Sequence, residues 1–223
     1  MPTGEEAPAP LRRDARRNRE ALRSAAHEVF AAQGLHAPLD EIARRAGVGN
    51  ATLYRHFPNR AALVEAVFGE MLSETRRSGE EARTSADAWT GLTGYLEGIF
   101  TGLAADRGAN DLMTTGIEGI TSLQELHTHH RETVRLLIAR AQEEGALRED
   151  VVAEDLLFTL AALGRVVPAS ASVVPGSWRR YLALLLDGLR AEAARPLPGP
   201  PLTRDQLGRV LHDLGPHAAP ATR

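Results

Sequence analysis

The stretch LDEIARRAGVGNATLYRHFPNR, Leu39 to Arg60, decides the fold. Leu39, Ile42, Ala43 and Ala46 recur at i, i+3, i+4 and i+7, which puts them on one face of a helix. Gly47 follows where the chain must turn, and glycine enters positive φ without a Cβ clash. Val48 supplies an apolar residue after that turn. Asn50 to Phe57 reads as a second short helix, with Leu53 and Phe57 on its apolar side. Pro58 ends it, because proline lacks an N–H and its predecessor disfavours the helical region. A helix, a glycine turn and a second helix at this length are a helix-turn-helix signature. Asn50, Thr52, Tyr54, Arg55 and His56 lie on the other faces, as donors for phosphates or base edges.

Working outward, Leu22, Ala25, Ala26, Val29 and Phe30 form an apolar stripe on a first helix expected over Asp14 to Gln33. Gly34 suits the position after its C-terminus, with Leu35 packing back. Pro38 suits the first helical position of the next helix, where a missing N–H costs nothing. Asp40 and Glu41 then favour the positive end of that helix dipole. Arg44 and Arg45 lie on the same helix, as phosphate contacts or a solvated face. Residues 1–11, rich in proline and alanine, are expected to be a disordered arm. Arg12, Arg13, Arg16, Arg17 and Arg19 follow, as a solvated helix start or a segment reaching DNA phosphates or a minor groove.

Charge supports this division. From Arg12 to Val64, ten arginines oppose five acids, a surplus of +5 that leaves −8 on the rest of a chain whose total is −3. A basic first segment on an acidic body suits a protein that meets DNA at one end. The 26 basic side chains are all arginine, for which genome composition is the simplest cause. With 43% hydrophobic residues in 223, a packed core needs no covalent staples. The absence of cysteine excludes disulfides and cysteine-based zinc sites. No apolar run reaches membrane-spanning length, so a cytoplasmic protein is expected.

The body reads as helices throughout. A helix starting near Asn59 carries Leu63, Val64, Val67, Phe68, Met71 and Leu72, then turns polar towards a boundary at Ser78 to Ser85. Further helices are expected from Trp89 to Leu103, Asp111 to Ile117, Leu123 to Ala141, Ala153 to Val167 with Pro168 as the stop, and Ser177 to Ala194 with Ser177 as the cap. The last one is apolar on several faces, which requires burial on several sides and hence a partner subunit. The expected dimer residues are Leu157, Leu160, Tyr181, Leu185 and Leu189. The tail after Pro196 has room for a short helix over Thr203 to Leu214.

The segment AGVGNATLYRHFPNRAALVEAVF, residues 46–68, resembles the core motif of the TetR family of transcriptional regulators. Ile42, Ala43, Ala46, Gly47, Val48, Thr52, Leu53, Tyr54, His56, Phe57, Arg60 and Leu63 all fit its pattern. Pro38 departs from it, since the family usually places Ser or Thr there to touch phosphate. The segment QEEGALREDVVAEDLL, 142–157, resembles the link before the dimer helices, and the body is most similar to the SbtR-like group. The resemblance implies an all-α chain: a three-helix DNA-binding domain over 12–58, a connecting helix over 59–83, a ligand-binding and dimerisation domain over 84–195, and a tail over 196–223. It implies a homodimer on double-stranded DNA, probed by Asn50, Ala51, Thr52, Tyr54, Arg55, His56, Arg60 and Arg44. Asn50 would face the major groove, and Thr52, Tyr54, His56 and Arg60 would mostly hold phosphates.

The expected function is repression released by an unidentified small molecule, with no cofactor and no membrane partner. A pocket for that ligand is placed among Trp89, Tyr95, Phe100, Met113, His127, His130, Phe158 and Trp178, each of which also suits plain core packing. His127 and His130 are one turn apart and His129 is adjacent, but zinc needs three or four ligands and no such spacing occurs, so no metal is expected. Two other functions fit less well: a ligand-independent DNA-binding co-regulator whose body binds a protein, and an all-α enzyme or metal protein built on the histidines. No nucleophile elbow, phosphate loop or carboxylate pair supports catalysis.

Overall fold

A computed structural model describes residues 9–115 and 119–213. The fold is all-α. Its helices are α1 (Ala9–Gln33), α2 (Leu39–Arg45), α3 (Asn50–His56), α4 (Arg60–Arg83), α5 (Ala88–Ala105), α6 (Arg107–Thr115), α7 (Thr121–Glu143), α8 (Ala153–Val173), α9 (Trp178–Gly188) and α10 (Arg204–Asp213). Among the described residues the only extended pairing outside a helix is an isolated antiparallel bridge, Leu147 to Arg190.

Two hydrophobic cores divide the molecule, and the boundary falls across elements rather than between them. The first joins Leu22, Phe30, Ile42 and Leu53 of α1–α3, and Phe57 just after α3, to Leu63, Phe68 and Leu72 of α4. It also takes in Ala109 and Leu112 of α6 and Leu123 and Leu126 of α7. The second gathers Trp89, Leu92, Leu96 and Phe100 of α5 with Leu137 of α7, Leu156 and Val167 of α8, and Trp178 and Leu182 of α9. Met113 packs against both. Helix α4 ends at Arg83, within the boundary expected at Ser78–Ser85, and is held at its start by Asn59, whose side chain accepts from the Ala62 N–H at 2.8 Å.

Several expected element ends move, each for a physical reason. Helix α1 begins at Ala9, five residues before Asp14, so the expected arm shrinks; residues 1–8 lie outside the described part. Pro38 is extended (φ −61°, ψ 134°) and precedes α2 rather than opening it. Ser177 makes no capping hydrogen bond. Helix α9 stops at Gly188 because the next residues pair with the α7–α8 link. Arg148 N donates to Leu189 O at 3.0 Å and Ala191 N to Ala146 O at 3.3 Å. The Arg148 side chain, itself buried, binds Asp150 Oδ1 at 2.6 Å and the Arg195 carbonyl, and so ties down the start of the tail. Helix α6 starts four residues before Asp111 and ends at Thr115; Ile117 and Leu214 lie outside the described residues. Helix α8 does not stop at Pro168 but continues to Val173.

Candidate functional site

The Gly47 turn has φ +69° and leaves empty space where a Cβ would be, so backbone conformation alone demands glycine there. Gly49 opens α3 and its carbonyl accepts from Thr52 N at 2.9 Å. Within α3 only Leu53 is buried, and Phe57 is buried just after it. Asn50, Ala51, Tyr54 and Arg55 are therefore all left on the outside. Tyr54 is 53% exposed, so its ring and hydroxyl are open to a partner. Thr52 and His56 are half-buried at the edge of this face.

Neighbouring helices fix the pose of α3. Arg19 of α1 donates from Nη1 to the His56 carbonyl at 3.1 Å, and its guanidinium lies 4.5 Å over the Phe57 ring. A cation thus meets the negative end of α3, where the carbonyls lack helical partners. One member of the basic cluster is therefore a clamp on α3; proximity in space, 37 residues away in sequence, is what reveals it. Burial, together with Arg55 and Arg19 nearby, holds the His56 imidazole below its usual pKa. Its Nε2 is buried with no hydrogen-bond partner.

Arg60 Nη1 donates to the carbonyls of Leu35 and Ala37 at 2.5 and 2.7 Å. It braces the α1–α2 loop, so one end of the side chain expected on phosphate is committed within the protein. Arg44 is well exposed, 3.9 Å from Glu41. Arg45 approaches Glu28 at 3.5 Å.

The three-helix unit is joined to the body through α6. His27 Nε2 lies 2.8 Å from Asp106 Oδ2, and Leu35 N donates to Asp111 Oδ2 at 3.3 Å. A Cβ on Gly108 would lie 2.9 Å from Phe68 Cζ and 3.1 Å from Phe30 Cβ, so α6 approaches this closely only because position 108 is glycine.

The aromatic residues expected to line a pocket mostly meet, but as packed core. Trp89, Tyr95, Phe100 and Trp178 are buried, with the Phe100 and Trp178 rings stacked at 5.9 Å. Phe158 is a correction: it is 43% exposed on the outer side of α8. The three histidines diverge. His127 bonds the Met113 backbone, His130 Nδ1 lies 3.1 Å from the Tyr95 hydroxyl, and His129 faces Glu80, Arg83 and Thr133. Burial is the main cause that lowers the pKa of each, His130 to about 4. Among the described residues no group of three potential metal ligands converges.

A groove of about 750 Å³ lies between α4 and α7. Ser73, Arg76, Arg77 and Glu80 line one side, with Gln124, Thr128 and His129 opposite. Sequence reasoning missed it, although polar residues at helical spacing on both helices were its available signal.

Large and small apolar residues lie exposed on α8 and α9, beside Arg165, Arg180 and Asp187. Phe158, Ala162, Val166, Ala169 and Val173 recur at helical spacing on α8, and Tyr181 and Leu184 on α9, all exposed. Leu157 and Leu185 are half-buried at the margin. Leu160 and Leu189, expected at a dimer interface, are corrections: both are buried in the second core.

Comparison with known proteins matches the chain in two separate parts. Residues 22–67 match the family model for bacterial regulatory proteins of the tetR family, and residues 87–191 match the SbtR-like C-terminal domain of transcriptional regulators. The transcriptional repressor KstR2 of Rhodococcus jostii is 27% identical over 186 residues, covering 77% of this chain and 90% of that one. A TetR transcription regulatory protein of Mycobacterium vanbaalenii is 32% identical, covering 81% of this chain and 99% of that one, with a TM-score of 0.48. A TetR regulator of Streptomyces coelicolor is 28% identical, covering 77% and 98%, with a TM-score of 0.52.

Proposed function

The chain belongs to the TetR family of bacterial regulatory proteins and carries an SbtR-like C-terminal domain; from that premise we propose that it represses transcription as a homodimer on a pseudo-palindromic operator and leaves the operator when a small molecule binds its body. As a member of that family it is a DNA-binding regulator and not an enzyme. Among the described residues no helix is long and apolar enough to cross a membrane.

The observation that carries the proposal is the outward face of α3. Asn50, Ala51, Tyr54 and Arg55 are exposed on a short helix whose other side is locked by Leu53, Phe57 and Arg19. Asn50 and Ala51 would meet base edges, and an asparagine pairs bidentately with adenine. Thr52, Tyr54, Arg55 and Arg44 would hold phosphates, with Arg60 acting mainly through the loop it braces and His56 held back by its buried Nε2. The repression sign is supported by likeness to the Rhodococcus repressor.

The exposed apolar stripe on α8, with Tyr181 and Leu184 on α9, supports a dimer, since apolar residues repeated along one helix face need cover. Two copies would place their α3 helices about 34–36 Å apart, or a multiple of that, to meet successive major grooves. The α4–α7 groove, open to solvent and lined by Arg76, Arg77, Glu80 and His129, is the place in this reading where a polar small molecule would bind. A ligand there acts by preferring the conformation that does not bind DNA.

Selection of bound duplexes from a random pool at physiological salt tests the reading. An enriched inverted repeat is expected. Weak, salt-sensitive binding without enrichment would reject a sequence-specific repressor. A small-molecule screen by thermal shift then tests release: an inducer raises Tm and weakens the selected duplex.

A further inference from the structure

Pro168 lies inside α8, where it removes the N–H that would bind the Gly164 carbonyl one turn back. That carbonyl is not orphaned. Asn110 of α6, only 2% exposed, donates to it from Nδ2 at 2.9 Å. Thr114 donates from Oγ1 to the Asn110 carbonyl at 2.8 Å, beside the Asn110 side chain. Gly164 permits the approach, since a Cβ there would lie 3.2 Å from Thr114 Cγ2.

The same helix serves the DNA-binding unit with its other residues. Ala109 and Leu112 belong to the first core, Gly108 abuts Phe30 and Phe68, and Asp111 accepts from Leu35 N. Helix α6 is thus one helix thick between the DNA-binding unit and α8, which carries the exposed apolar stripe.

We propose that Asn110 is the coupling residue between the two functions: by replacing the N–H that Pro168 lacks, it binds the DNA-binding unit's supporting helix to the dimer helix. A shift of α6 away from α8 strands a buried carbonyl, so the two helices move together. In an ordinary helix that carbonyl would be satisfied internally and α6 would be free to slide. The coupling role rests on the dimeric DNA-binding reading above; the hydrogen-bond substitution does not.

A thermal cycle on the full-length protein tests the substitution without DNA. Asn110→Ala is expected to lower Tm by several degrees. In the Pro168→Ala background the backbone N–H regained at that position satisfies the Gly164 carbonyl, and the same Asn110→Ala change is expected to cost less than half as much. Equal losses in both backgrounds would overturn the proposal. If Asn110→Ala alone does not fold, recovery of folded protein in the double variant supports it, and failure of the double variant to fold overturns it.

Hydrogen exchange with the selected duplex tests the coupling. In the wild type, DNA is expected to slow exchange in α6 and also in residues 160–167 of α8. In Asn110→Ala or Pro168→Ala the α8 response is expected to vanish while the α6 response remains. An unchanged α8 response in either variant overturns the coupling. Failure to enrich any duplex would reject the DNA-binding reading, and the thermal cycle would still decide the substitution.

Discussion

The DNA-binding unit and the α8–α9 face dispose of their apolar residues in opposite ways. On α3 the large apolar side chains point inward and the outside is polar. On α8 and α9 the inward side is equally full, with Leu156, Leu160, Val167, Trp178 and Leu182 buried, yet Phe158, Val166 and Leu184 remain outside. The first unit is complete within one chain and offers hydrogen bonds. The second is incomplete within one chain and offers apolar area. In the proposed reading each surface therefore takes a different partner, a polar duplex in one case and a second copy in the other.

The largest effect should come from breaking the second surface. Val166 and Leu184 are 56% and 58% exposed, so a charge at either is tolerated by the folded chain. Val166→Glu or Leu184→Glu should yield a folded monomer in sedimentation at micromolar concentration. Operator affinity should fall by about 100-fold or more, since burying an unpaired charge costs about 3 kcal/mol. Ala51→Glu on α3 should weaken operator binding by a similar factor and leave the dimer intact. A Leu184→Glu protein that remains dimeric would erase the contrast between the two surfaces.

The next effect concerns the body's histidines. Burial lowers the folded pKa of His130 from 6.5 to about 4, with His127, His129 and Arg131 adding to the shift, and Tyr95 contacts it from α5. The unfolded chain therefore binds a proton first as pH falls. The stability from keeping His130 neutral is full above about pH 6.5 and is lost as pH falls towards 4, on the order of 2–3 kcal/mol. His127 and His129 shift in the same direction. Urea denaturation between pH 7 and 4 should show this decline, and His130→Gln should flatten it. An equal slope in the variant would assign the acid sensitivity to other groups.

The contrast also explains what was legible in the sequence. The α2–α3 unit is written in neighbours: a stripe from Leu39 to Ala46, a glycine at 47 and a proline at 58. Its limits come out within a residue. The body depends on distant partners. Pro168 reads as a stop unless Asn110 is known to replace its N–H. The end of α9 depends on Leu147 and Arg148, some forty residues earlier. Leu160 and Leu189 look like Leu157 and Leu185 in sequence, and only the packing of α5 against α8 and α9 decides which are inside. Arg19 reads as one basic residue among several until α3 folds beneath it.

That clamp gives a smaller prediction. Arg19→Ala removes the hydrogen bond to His56 O and the contact over Phe57. It should cost about 1–2 kcal/mol of stability. Operator and random duplexes should lose affinity alike, because α3 loosens without losing a base contact. A selective loss on the operator would mean that Arg19 itself reads sequence.

The smallest effects separate the roles along α3. Tyr54→Phe removes one hydroxyl from an exposed ring and should weaken all duplexes by about 1 kcal/mol, as a lost phosphate contact does. Asn50→Ala should cost about as much on the selected operator and almost nothing on random DNA, because a base contact discriminates where a phosphate contact only positions. Titrating both variants against both duplexes at fixed salt gives four affinities. Asn50 and Tyr54 are four residues apart, roughly one turn, so they project from one side of α3 and differ mainly in depth along it. If both lose affinity equally on both duplexes, the helix lies across the backbone instead of entering the groove with Asn50 foremost. If Asn50→Ala alone is selective, the N-terminal end of α3 is the end that reads bases, and the C-terminal end held by Arg19 is its anchor.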